Sequence, residues 1–96
     1  MGKFLPGRTE LLILQMLRDE PSGMYGLEFV KASGGKLKRG TAYVTLGRME
    51  DNGFVRSKLD RSTSHPGLPR PRYVLTGVGQ KALEAAELVG MRALGA

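Results

Sequence analysis

The stretch RGTAYVTLGRMEDNGFV, residues 39–55, constrains this chain more than any other. Ala42, Leu46 and Met49 stand at i, i+4 and i+7, which places them on one stripe of a helix. Asn52-Gly53 then supplies the residues that end helices in a left-handed turn. The opposite side carries Thr41, Val44, Gly47 and Arg48, which are small, partly apolar and basic. A solvated helix face carries Glu and Lys instead. A helix anchored on one side and bare on the other presents that side to a partner.

The flanking sequence frames this helix with others. Thr9 is placed to cap a first helix running to Asp19, which Pro21 ends. Ser22 is placed to cap a second helix from Gly23 to Ala32, closed by Ser33-Gly34-Gly35. A basic link, Lys36 to Arg39, leads into the third. Short helices joined by turns of this length predict a helix-turn-helix core. Phe54 to Leu59 and Arg72 to Leu75 alternate as short strands, and Asp60 to Pro71 between them carries Pro66-Gly67, Pro69 and Pro71. This predicts a two-stranded β-hairpin with a long basic tip. Thr76 caps a last helix to about Leu94, which Gly77, Gly79 and Gly90 are expected to weaken. The fold class is α+β, mainly helical, in one domain over residues 1–96.

The apolar face of that last helix is wide: Val78, Ala82, Leu83, Ala85, Ala86, Val89, Ala93 and Leu94. It exceeds what one contact within a small domain needs, and a homodimer seam at Val78, Ala82, Leu83, Ala86, Val89 and Ala93 is the expected second use. Packing on its own domain alone is the alternative.

The net charge of +6 is concentrated. Between Lys31 and Arg72 ten bases face three acids, a local charge of +7, while the remainder carries −1. Such a footprint belongs to a polyanion partner, most often nucleic acid, or to a solvated basic surface. The absence of cysteine excludes disulfides and thiolate metal sites and fits the cytoplasm. The apolar run Leu11 to Leu14 is far shorter than the roughly 20 residues of a membrane span, and no signal-peptide pattern is present, so no membrane association is expected. The one histidine, His65, has no carboxylate at ligand spacing, and Ser62, Thr63 and Ser64 have no activating base. Gly35 to Thr41 has the glycine spacing of a phosphate-binding loop but lacks its lysine and follows a helix. Neither catalysis nor a cofactor is expected.

Three stretches together resemble the PadR-like winged-helix transcriptional regulators. EPSGMYGLEFV, residues 20–30, is similar to that family's Pro-Ser-x-x-Tyr-x-Leu segment. Residues 39–55 resemble its Gly-Thr-x-Tyr-x-x-Leu-x-x-x-Glu-x-x-Gly recognition helix. RPRYVLTGVGQKAL, residues 70–83, resembles its Arg-x-Tyr-x-Leu-Thr-x-x-Gly wing strand and following helix. The resemblance spans about residues 8 to 85. Val44 stands where the family usually has proline, and Ala42 replaces a larger aliphatic residue. With its end at Ala96, the chain resembles the short members, whose single last helix makes the dimer. Some of these bind flat drugs through a tryptophan, which this chain lacks, so a small-molecule inducer is left open.

The resemblance implies a regulator, expected to repress, that binds a palindromic operator as a homodimer. A protein-interaction module and a non-specific architectural DNA binder are the alternatives. In a major groove about 12 Å wide, Arg48 is the expected guanine contact, and Val44 or the Thr45 methyl would meet a thymine methyl. Lys36, Lys38, Arg39 and the N–H groups of Gly40 and Thr41 are expected at phosphates. Tyr43 is assigned either a phosphate or flank packing. Lys58, Arg61, Arg70 and Arg72 are expected on the backbone or minor groove beside the wing.

Overall fold

Burial of one side of each helix against a small sheet organises the chain. The computed structural model describes residues 6–60 and 70–95, with side chains as far as Gly90. Among these the order is α1 (Arg8–Arg18), β1 (Met24–Tyr25), α2 (Gly26–Ala32), α3 (Arg39–Asp51), β2 (Val55–Asp60), β3 (Arg70–Leu75) and α4 (Gly77–Gly95). The strands form one antiparallel sheet in the order β1-β3-β2. The fold is α+β and mainly helical, and the predicted hairpin is extended by a third strand.

The caps differ from expectation. Gly7, not Thr9, precedes α1, and its N–H donates to Glu10 Oε1 at 2.8 Å. Ser22 caps nothing, because Gly23 has φ of +94° and cannot open a helix. A Cβ on Gly23 would also strike the Tyr73 carbonyl. The chain therefore enters β1, where Met24 pairs with Tyr73 and Tyr25 with Arg72. Helix α2 begins only at Gly26, with the Tyr25 N–H donating to Glu28 Oε1 at 2.7 Å.

Alternation gives the sheet two faces. Met24, Val55 and Tyr73 point into the core, where Phe29 meets the Tyr73 ring edge-on at 6.3 Å. Burial pushes the Tyr73 phenol above its ordinary value, with Glu50 and Tyr43 adding to the effect. Ile13, Leu14, Leu17, Leu37, Ala42, Leu46, Met49, Phe54, Ala82 and Leu83 complete the buried apolar set. Ser33, the buried hydroxyl at the end of α2, donates to the Val30 carbonyl and accepts from the Leu37 N–H. The opposite face of the sheet carries Tyr25, Arg56, Lys58, Asp60, Arg70 and Arg72.

Thr76 caps α4 as expected. Its Oγ1 accepts from the Gly79 N–H at 2.9 Å and lies 2.5 Å from the Gly53 carbonyl, to which it donates. Arg18 Nη1 donates to both carboxylate oxygens of Glu87, at 2.8 and 2.7 Å, and ties α4 to α1. That bond chiefly raises the Arg18 guanidinium above its ordinary value. Gly79 is no weakness: α4 crosses the Phe54 carbonyl so closely that a Cβ there would collide with it. Gly90, by contrast, faces open space. Gly79→Ala is therefore expected to destabilise the fold by about 1–3 kcal/mol. Gly90→Ala is expected to stabilise it by up to about 1 kcal/mol. Thermal denaturation of the two variants reads the opposite signs.

Candidate nucleic-acid interface

Helix α3 is fixed by its apolar stripe, since Ala42, Leu46 and Met49 are fully buried. Thr41, Val44, Gly47 and Arg48 are exposed on the side away from them, Val44 by 58%. Thr45 is not part of that edge. At 8% exposure it belongs with the buried stripe, beside the first turn of α1. Gly7 to Glu10 of that turn form an open cleft of about 320 Å³ with Thr41, Thr45 and Arg48.

The N-terminus of α3 is electropositive by construction. Its first helical bond runs from the Ala42 N–H to the Lys38 carbonyl, so the N–H groups of Arg39, Gly40 and Thr41 have no intrahelical acceptor. No acid stands in this turn. Lys36, Lys38 and Arg39 are exposed around it, and among the described residues none of them, nor Arg48 or Lys58, is ion-paired. Tyr43 lies against the buried Gly26, where a Cβ would occupy the space of its ring. At the other end of α3, Glu50 Oε2 accepts from the Ser57 N–H at 3.1 Å and the Ser57 hydroxyl at 2.7 Å. This fastens the helix to the outer strand of the sheet.

The wing residues divide. Lys58 is exposed and stands across from Arg72 on the outer face. Arg72 is engaged within the sheet, where its Nε and Nη2 donate to Asp60 Oδ2 at 3.0 and 2.9 Å. Its Nη2 also donates to the Tyr25 hydroxyl at 2.6 Å. The bond to Asp60 is the main cause that raises its guanidinium above the ordinary value. Arg70 lies 4.1 Å over the Tyr25 ring, half-buried, and its Nε has no hydrogen-bond partner among the described residues. Arg61, His65, Ser62, Thr63 and Ser64 lie outside the described residues.

Two bases were missed. Arg56 is exposed on the same face as Lys58, two residues along β2, and strand alternation alone would have found it. Arg8 lines the cleft beside Thr41 and Arg48, and only the packing of α1 on α3 brings it there.

The wide apolar face of α4 splits into two stripes. Ala82 and Leu83, expected at a dimer seam, are buried in this chain's own core, at 8% and 0% exposure. The outer stripe consists of Val78, Ala85, Leu88 and Val89, all exposed, with Ala86 half-buried at its border. Leu88 was missed, although it lies one turn beyond Ala85. The side chain of Ala93 is outside those described. Among the described residues no cluster of His and acids is arranged to hold a metal, and no helix is long and apolar enough to cross a membrane. Gly35, with φ of +95°, follows α2 and no strand, as a phosphate-binding loop would require.

A helix-turn-helix core, a basic antiparallel wing and a following long helix together define a winged helix. The model of the transcriptional regulator PadR-like family matches residues 13–85, and the chain belongs to that family, one of transcription regulators and not of enzymes. Curated protein sequences give no match. Among solved structures, a PadR family transcription regulator from Clostridium difficile is 29% identical with a TM-score of 0.75, covering 93% of this chain and 92% of its own. A PadR-like transcription factor from Bacteroides fragilis is 26% identical with a TM-score of 0.76, covering 90% and 82%. Bacillus subtilis PadR, solved in complex with operator DNA, shares the fold at 22% identity and a TM-score of 0.72, covering 83% and 46%.

Proposed function

We propose that this transcription regulator binds double-stranded DNA sequence-specifically, as a homodimer on a palindromic operator in the cytoplasm, and acts as a repressor. The observation that carries this reading is the make-up of α3. An exposed edge of Thr41, Val44, Gly47 and Arg48 runs from a helix N-terminus whose N–H groups and surrounding bases are unpaired among the described residues. Short side chains let the backbone approach the groove floor, and Arg48 carries the fork that matches the two acceptors of guanine. Lys36, Lys38 and Arg39 reach phosphates on one flank, while Lys58 and Arg56 reach them beside the wing. The operator complex of Bacillus subtilis PadR supports the reading, because the two chains share a fold. An exposed stripe of Val78, Leu88 and Val89 supports dimerisation through α4. A two-fold dimer places half-sites about one helical turn apart.

Binding to a random-sequence duplex is expected to weaken steeply with salt, and Lys38→Ala to flatten that slope by about one unit. Arg48→Ala is expected to cost about 1–3 kcal/mol on a selected operator and to relax preference at one position. Affinity indifferent to salt would point to a protein-interaction module, and equal affinity for scrambled sequence to an architectural binder. For the dimer, Leu88→Glu and Val89→Glu are expected to give a folded monomer in sedimentation equilibrium with weakened operator binding. A monomeric wild type would remove the dimer.

A further inference from the structure

Tyr25 stands where three elements meet. Its N–H is held by Glu28 at the start of α2, and its backbone pairs with Arg72 of β3. The guanidinium carbons of Arg70 and Arg72 lie 4.1 and 4.3 Å from its ring centre. Its hydroxyl donates to Asp60 Oδ2 at 2.6 Å while accepting from Arg72 Nη2 at 2.6 Å. Arg72 closes the triangle with its own bonds to Asp60. Asp60 is the last residue of β2 and pairs with Arg70, the first of β3, so the triangle sits at the outer end of both strands.

The same corner touches the reading helix. Gly26, next in the chain to Tyr25, is buried beneath the Tyr43 ring of α3. Tyr25, Gly26, Tyr43 and Arg70 line one small hollow. Contacts thus run without a break from α3, through the α2 entry, to the outer end of the wing strands. Each polar member is occupied by another, so the triangle offers little to DNA itself. Lys58 is the cross-strand neighbour of Arg72, one member of the triangle.

We propose that Tyr25, Arg72 and Asp60 are positioning residues that fix the wing relative to α3 and thereby bring Lys58 to a DNA phosphate. The proposal rests on α3 and the wing being the DNA-binding surface. It differs in sign from plain electrostatics. Removing the Asp60 charge raises the positive potential of the wing, which alone tightens DNA binding. Loss of the tether loosens it.

The test measures Tyr25→Phe, Asp60→Asn, Lys58→Ala and the Tyr25→Phe/Lys58→Ala double variant against a fluorescent duplex of random sequence at several salt concentrations. Tyr25→Phe keeps the ring and all charges, and is expected to weaken binding several-fold and flatten the salt slope by about one unit. In the Lys58→Ala background the same change is expected to do nothing, which a loss of general stability would not produce. Asp60→Asn is expected to weaken binding. Tighter binding by Asp60→Asn, or a Tyr25→Phe penalty undiminished without Lys58, overturns the proposal. A wild type that binds with a steep salt slope beside an unaltered Tyr25→Phe overturns this inference alone. A wild type without salt-dependent affinity overturns the DNA reading and this inference together.

Discussion

The burial of three side chains, Ala42, Leu46 and Met49, determines which way α3 faces, and the site follows from that. Burying a Leu or Met side chain stabilises by about 1.5–3 kcal/mol each. A turn of the helix about its axis would expose these residues and bury Arg48 or Val44 in their place. The stripe is narrow, so most of the circumference of α3 stays outside the core. Thr45 marks the border on one flank, beside the first turn of α1, and Tyr43 the border on the other, seated on Gly26.

Much of this was legible in the sequence, for local reasons. Asn52-Gly53 and Pro21 punctuate the chain after α3 and α1, and period-3.6 and period-2 patterns distinguish the segments between them. Pro71, expected in the loop, instead stands inside β3 opposite Leu59, because β2 runs on to Asp60 and pairs with Arg70. The short strand β1 was not legible, because two residues have no period and its evidence lies in Tyr73 and Arg72, some 48 positions away. Gly23 read as the start of a helix, whereas its positive φ turns the chain into the sheet. The bases were legible as charge, but not as available charge. Nothing local distinguishes Arg72, bound to Asp60 across the hairpin, from Lys58, its unpaired neighbour. Likewise the apolar face of α4 could be counted but not divided, since only the position of the core tells Leu83 from Leu88.

The departures from the family pattern now have positions. Val44 replaces the usual proline with no break in α3, which runs continuously from Arg39 to Asp51. The substitution restores a backbone N–H to the helical ladder and puts an exposed, β-branched apolar group at the centre of the exposed edge of α3. Ala42, where the family pattern has a larger aliphatic residue, is fully buried.

Thr76 joins two parts of the molecule at one oxygen. Its hydroxyl binds the Gly53 carbonyl, just past the exit of α3, and receives the Gly79 N–H in the first turn of α4. With Gly79 against the Phe54 carbonyl and Arg18 gripping Glu87 farther along, α4 leaves the end of α3 held at its base. If two copies are joined through α4, as proposed, the spacing of their α3 helices depends on the contacts at this corner. An operator with one base pair added between its half-sites would then present the second half rotated by about a tenth of a helical turn, and the Thr76, Gly79 and Arg18 contacts are those that would have to give for the protein to follow it.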